Sequence, residues 1–171
     1  MRRYSIYESS LGEILIISNG DAVTGVYLPH QKHGQSIRSD WVEAQHDPVI
    51  GEACKQLGEY ITGIRTTFDL PLEAQGTPFQ KRVWQRLKEI PYGETISYKE
   101  LAMRNESPGA FRAVGQANGR NPISIVIPCH RVIGANGSLT GYGGGIHLKE
   151  ALLAFEKAVA AGRGQPFSWK P

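Results

Sequence analysis

The stretch S97-Y-K-E-L-A-M-R-N-E-S-P-G-A-F-R-A-V-G-Q-A-N-G119 carries the start signals of two short helices in quick succession. Ser97-Tyr-Lys-Glu100 has capping-box spacing and opens a helix that runs to about Arg104. Ser107-Pro108 places proline after a capping residue and opens a second helix through GAFRAVGQAN, closed by Gly119. Two short capped helices across a few turn residues predict a helix-turn-helix. The second is unusually small-sided, with Gly109, Ala110, Ala113, Gly115 and Ala117, so its backbone can approach another surface closely. Arg112 is its outstanding cation.

Upstream, Thr77-Pro78 repeats the cap-plus-proline signal, and apolar positions 79, 83, 84, 87 and 90 predict a helix ending at Pro91-Tyr-Gly93. Downstream, Asn121-Pro122 precedes ISIVI, an apolar run read as a strand that delivers Pro128-Cys129-His130. RVIG and SLTGY flank Ala135-Asn136-Gly137, which predicts a hairpin, the wing beside the helix-turn-helix. Gly141 to Gly145 is a glycine-rich loop around Tyr142. It lacks the Gly-Lys-Ser/Thr ending of a phosphate loop and reads as a tight turn near a site. A last helix spans about 147 to 161, and the tail GRGQPFSWKP reads as loosely held.

The first half has a different grammar. Residues 3–9, 12–18 and 23–28 are short, rich in β-branched and aromatic residues, and separated by turn residues, which predicts an antiparallel meander. Residues 29–47 read as a polar loop whose His30, His33 and His46 are surface residues. Pro48 to Thr62 follows a helical period with Cys54 on the buried face, TTFDLPL adds an edge strand, and EAQGT (73–77) is the candidate linker. The fold class is therefore α/β in the α+β sense. A small N-terminal β-sheet domain with one helix (1–76) precedes a mostly α, winged helix-turn-helix-like domain (77–156) and a basic tail (157–171).

With 40% hydrophobic residues over 171 positions the chain can bury a real core. Two distant cysteines cannot build a disulfide framework or a four-thiolate zinc site. No secretory leader and no run of eighteen apolar residues is apparent, so the expectation is a cytoplasmic protein without membrane association. Charge is uneven: six basic against ten acidic residues in 1–76, ten against six in 77–156, and three against none in the tail. A basic second half is what a phosphate-binding surface requires, although solvated charged faces are common.

Cys129 can be read as a core residue, a nucleophile or a metal ligand. A thiol attacks only as a thiolate, which needs a base, and His130 is adjacent. On a straight strand the two side chains point to opposite faces, so the pair works only if the chain turns at Pro128. Glu156, at the margin of the last helix's buried face, could orient the imidazole. A cysteine beside an apolar run is in general more often core than catalyst. No second Cys or His stands at ligand spacing, and the nearest histidine is His147, which argues against metal.

ISIVIPCHRVIG resembles the active-site signature of the 6-O-alkylguanine-DNA alkyltransferases of the bacterial constitutive type, also called methylated-DNA–protein-cysteine methyltransferases. The resemblance extends over TPFQKRVWQRLKEIPYGETISYKELA, GAFRAVGQANGRNPI and TGYGGGIHLKEALLAFE. For residues 1–76 it implies the family's ribonuclease H-like domain, with weaker support. It implies that Cys129 accepts the alkyl group, that His130 deprotonates it through a water and that Glu156 orients the histidine. Asn121 would tie down the strand before the cysteine, and Tyr98 would protonate the departing base. Arg112 would fill the stack where the nucleotide was, with Ala113, Gly115 and Tyr98 against the DNA. Tyr142, Gly143 and Val132 would form the guanine pocket, with only the backbone amide at Gly143 where some members carry serine.

The lesion dictates the rest of what the resemblance implies. A methyl on the 6-oxygen of guanine, or on the 4-oxygen of thymine, lies within the stacked duplex, so the base must be extruded before a thiolate reaches it. The product thioether has no hydrolytic exit, so the protein acts once. The implied partner is double-stranded DNA bearing alkylated bases, contacted through the minor groove with weak sequence preference by a monomer; no cofactor and no metal are expected. Two rivals stand beside this reading. A thiol hydrolase using Cys129, His130 and Glu156 would turn over through a labile thioester. A non-catalytic relative would bind alkylated DNA, but such look-alikes have another residue in place of the cysteine.

Overall fold

Alternation along the first strands gives a sheet two faces, and the larger one is covered by a helix. The computed structural model describes residues 1–139 and 142–168. β1 (Arg3–Ser9) and β2 (Gly12–Ser18) pair antiparallel from Arg3↔Ser18 to Ser9↔Gly12, and β3 (Val23–Tyr27) pairs with β2. Ile14 and Ile16 of β2 are fully buried beneath α1 (Pro48–Ile61), whose Ile50, Ala53, Leu57 and Tyr60 meet them in the core. On the opposite face Ile17, Tyr27 and Trp41 form a small separate cluster. The sheet order β3-β2-β1-β4 includes an unforeseen edge: β4 (Val42–Glu43) pairs parallel to β1 inside the segment read as loop. TTFDLPL is not a strand, and only Leu72 bridges to Val23.

The second half is built from α2 (Pro78–Leu87), α3 (Tyr98–Arg104), α4 (Phe111–Gly119) and α5 (Ile146–Ala160). Thr77 and Gln80 close the capping box of α2, and Ser97 accepts the Glu100 amide at the start of α3. Ser107 does not cap α4. Ala110 N–H donates to Ser107 O in a turn, and the helix begins at Phe111. α3 and α4 pack on α2, and Trp84 Nε1 donates to Ala117 O at 2.8 Å, tying α2 to α4. The architecture is the expected α+β arrangement of an N-terminal sheet and a C-terminal helix-turn-helix-like unit.

Three elements depart from expectation. ISIVI is no strand; Ile123 makes a single bridge to Val26 and the chain then folds on itself. Among the described residues no strand pair forms a hairpin across Asn136-Gly137. Val132–Ile133 (β6) pairs in parallel with Ile96–Ser97 (β5), and Gly134 N–H to Ser138 O closes only a turn. Thr140 and Gly141, on the expected second strand and glycine-rich loop, lie outside the described residues, as does the end of the basic tail from residue 169. The rest of the tail is pinned: Phe167 is buried, stacks edge-on against Phe155, and its N–H donates to Ile61 O at 2.7 Å.

α1 is held at its start by Asp47, whose side chain accepts from the amides of Val49 and Ile50 and pairs with Arg3 at 2.9 Å. Asp47→Ala removes that cap and is expected to cost about 1–2 kcal/mol. A lower urea midpoint at unchanged m-value checks this, and an unmoved midpoint contradicts it.

Candidate functional site

Cys129 sits at the end of two successive reversals. Ile125 has φ of 70°, a conformation disfavoured for a β-branched residue, and Val126 N–H donates to Ser124 O at 2.8 Å around it, a γ-turn. At Pro128 (φ −81°, ψ 64°) Cys129 N–H donates to Ile127 O at 2.8 Å, an inverse γ-turn. Cys129–Arg131 then form one 3₁₀ turn, closed by Arg131 N–H to Pro128 O. The turn at Pro128 takes Cys129 and His130 off the opposed faces that a strand would impose.

Asn121 holds this strained segment together. Its Oδ1 accepts from Ile123 N–H at 3.0 Å, and its Nδ2 donates to Ile127 O at 2.8 Å and lies 3.1 Å from Cys129 Sγ. The neighbouring Asn118 donates to Cys129 O at 3.3 Å. Burial pushes the Cys129 thiol above its ordinary pKa, opposed by the Asn121 amide and by the Lys149 ammonium. The resting group is therefore the neutral thiol, and reaction needs a base.

His130 and its neighbours converge on one carboxylate. Glu156 is fully buried on α5, and its Oε2 lies 2.7 Å from His130 Nε2, 2.7 Å from the Tyr60 hydroxyl and 3.1 Å from Arg131 Nη2. Oε1 accepts from Arg131 Nε at 2.8 Å and from the Gly93 amide at 3.4 Å. Burial alone would raise the Glu156 pKa, but His130 and Arg131 together outweigh it and hold the carboxyl well below the usual range. Glu156 therefore stays ionised, with its charge balanced by Arg131. An ionised carboxylate only accepts, so the Nε2 of His130 carries the hydrogen shared with Glu156. Nδ1 is buried and makes no hydrogen bond among the described residues.

The sequence candidates separate into groups. Cys129, His130, Glu156 and Asn121 come together, with Tyr142 edge-on to the His130 ring at 6.5 Å. Cys129 lines a small cavity of about 10 Å³ with Gln31, Tyr142 and Gly143. Tyr98 is half-buried against α4, where a Cβ on Gly115 would stand 3.7 Å from its ring; it does not line that cavity. Arg112 and Ala113 are exposed on α4. Val132 is a core residue paired with Ile96 and does not line the cavity either, because β6 turns its side chain into the packed interior.

Four participants went unread in the sequence. Tyr60 reads as one more buried position of α1, and nothing local signals its hydroxyl bond 96 residues away. Arg131 lies inside the string IPCHRVIG but reads there as an ordinary charge. Lys149 is fully buried with its ammonium 5.7 Å from the Tyr98 ring centroid, and burial lowers its pKa to about 8. Gln31 comes from the loop that reads as a variable excursion. Among the described residues no three His, Cys, Asp or Glu side chains gather as metal ligands, and no helix is long and apolar enough to cross a membrane.

Two family models match the chain: the 6-O-methylguanine DNA methyltransferase ribonuclease-like domain over residues 2–74 and the DNA-binding domain of the same proteins over 78–158. The chain is 48% identical over 161 residues to a methylated-DNA–protein-cysteine methyltransferase of Mycobacterium tuberculosis, covering 94% of this chain and 95% of that protein. It is 45% identical to the constitutive methylated-DNA–protein-cysteine methyltransferase of Bacillus subtilis, covering 92% and 96%. The solved structure of Mycobacterium tuberculosis OGT in complex with DNA superposes with a TM-score of 0.83 at 47% identity, covering 92% of this chain and 94% of that one.

The Glu156 cluster makes two predictions. Glu156→Gln leaves Arg131 buried without its counter-charge and is expected to cost about 3–5 kcal/mol at neutral pH; Tyr60→Phe, which removes one bond to a charged acceptor, costs about 1.5–3 kcal/mol. Because the folded carboxyl titrates below its ordinary value of 4.5, its contribution is complete above that value and is lost as pH falls below it. Urea midpoints between pH 7 and pH 3 should fall more steeply for wild type than for Glu156→Gln, and parallel curves would contradict this.

Proposed function

The chain belongs to the 6-O-methylguanine-DNA methyltransferase family of DNA repair proteins, and from that premise we propose that it takes the alkyl group of 6-O-alkylguanine, and of 4-O-alkylthymine, onto Cys129 in one irreversible step. The observation that carries the proposal is the buried relay Cys129, His130, Glu156: a neutral thiol beside an imidazole whose far nitrogen is fixed on a carboxylate ionised at neutral pH.

His130 Nδ1 takes the thiol proton through a bridging water, and Glu156 steadies the imidazolium that results. The Cys129 Sγ lone pair attacks the alkyl carbon while the C–O bond breaks, leaving its electron pair on the base oxygen. Tyr98 supplies the proton that makes the departing base neutral. Tyr142 and Gly143 shape the pocket, and Asn121 holds the segment that presents Cys129 to it. The product is a thioether, which water does not cleave, so each chain reacts once and needs no cofactor.

The base must leave the stack first. Arg112 enters the space it vacates, and the exposed Ala113 and half-buried Gly115 on α4 let the helix backbone lie against the minor groove. The protein acts as a cytoplasmic monomer, where reducing conditions keep the reagent thiol free. The chain divides ahead of the Thr77 cap into a β-rich domain (1–76) and the alkyl-accepting domain (77–156), followed by the basic tail.

Incubating the protein with an excess of duplex carrying 6-O-methylguanine and following its intact mass tests this. A gain of one methyl that then stops is expected, and none for Cys129→Ser; continued turnover of lesion, or equal gain by the variant, overturns the proposal. Replacing Arg112 by Ala should slow transfer from duplex DNA more than transfer from the free alkylated base.

A further inference from the structure

We infer that Lys32 and His33, on a turn contributed by the N-terminal half, form with Arg120 a phosphate-binding rim at the mouth of the Cys129 pocket. Resting on the DNA-repair reading above, the rim's ligand is a backbone phosphate flanking the extruded nucleotide.

The three side chains line one open cleft of about 1010 Å³ between this turn and α4. Tyr142 and Gly143 belong both to that cleft and to the small cavity that holds Cys129, so the cleft is the approach to the thiol. A nucleotide passing through it brings its two backbone phosphates to the rim.

The turn is built into the pocket. Lys32 N–H donates to Gly143 O at 2.8 Å, and a Cβ on Gly143 would stand 3.2 Å from Gln31 Cγ. Gln31 Oε1 accepts from Leu28 N–H and from the Ser124 hydroxyl, both at 2.9 Å, which fastens the turn to the segment leading to Cys129. Gly34 N–H closes the turn on Gln31 O at 3.0 Å and puts His33 at its third position with φ of 62°, where glycine or asparagine is usual. A histidine in that conformation faces the cleft at a cost in backbone strain.

The charges point the same way. Among the described residues none of Lys32, His33 and Arg120 makes an ion pair. Local desolvation, and after it the charges of Arg120 and Lys32, hold the His33 ring below its ordinary pKa, which places these groups within electrostatic reach of one another. An anion at the rim relieves that repulsion, and a phosphodiester is the anion a DNA-binding cleft meets.

The test compares wild type with the double variant Lys32→Ala/Arg120→Ala, both exposed positions. Binding to a short unmodified duplex is measured against salt, and alkyl transfer is measured from methylated duplex and from free 6-O-benzylguanine, which has no phosphate. Each lost phosphate contact lowers the slope of log affinity against log salt by about 0.9. The inference expects the slope to fall by roughly 1–2, with transfer from duplex slowed far more than transfer from the free base. A slope equal to wild type, or equal slowing with both substrates, overturns it. If wild type alkylates from neither substrate the alkyltransferase reading itself fails, while the DNA-binding slope still reports on the rim.

Discussion

A single buried carboxylate, with five donors on two oxygens, ties together parts of the chain that are far apart in sequence. Glu156 on α5 receives His130 and Arg131 from the 3₁₀ turn, Tyr60 from α1 and the Gly93 amide from the turn after α2. Isolated burial of such a charge would be prohibitive; here it is compensated by one guanidinium in a two-oxygen contact and by three further donors, His130, Tyr60 and the Gly93 amide. Arg131 is held from its other side by Ile90 O at 2.8 Å. The N-terminal half thereby reaches the cluster beside Cys129 through Tyr60, which donates to the carboxylate that holds His130.

The same arrangement separates two tasks that a Cys-His pair must combine. The thiol must be kept from solvent, and its burial does this and also keeps it neutral. The imidazole must be held in one orientation, and a carboxylate whose charge is already balanced by Arg131 fixes the ring through Nε2. The strain of Ile125 in the preceding γ-turn is sustained by the Asn121 side chain, which bonds the chain on both sides of the reversal. Strain of this kind, over-determined by its surroundings, is a regular mark of functional segments.

Much of the fold is legible in the residues because its signals are local. Thr77-Pro78 and Ser97 announce helix starts through their own side chains, and the short β-branched run GEILIIS between turn residues announces a strand. The failures come where tertiary contacts override local preference. ISIVI has strand composition, yet Asn121 and the packing of Ile123 and Ile125 in the core fold it into tight turns. Asn136-Gly137 makes its turn, but Val132–Ile133 finds a partner in Ile96–Ser97 across the fold. At the site, adjacent residues such as Cys129 and His130 can be read together. Tyr60 and Gln31 cannot, because their roles exist only through contacts 96 and 93 positions away.

The central claim is that Cys129 Sγ accepts the alkyl group, and the chain offers one competing thiol, the half-buried Cys54. Proteolytic digestion after reaction with methylated duplex, followed by peptide sequencing in a mass spectrometer, locates the added group directly. The account predicts S-methylcysteine at Cys129 and an unmodified Cys54. A methyl on Cys54, or on any residue other than Cys129, would contradict it.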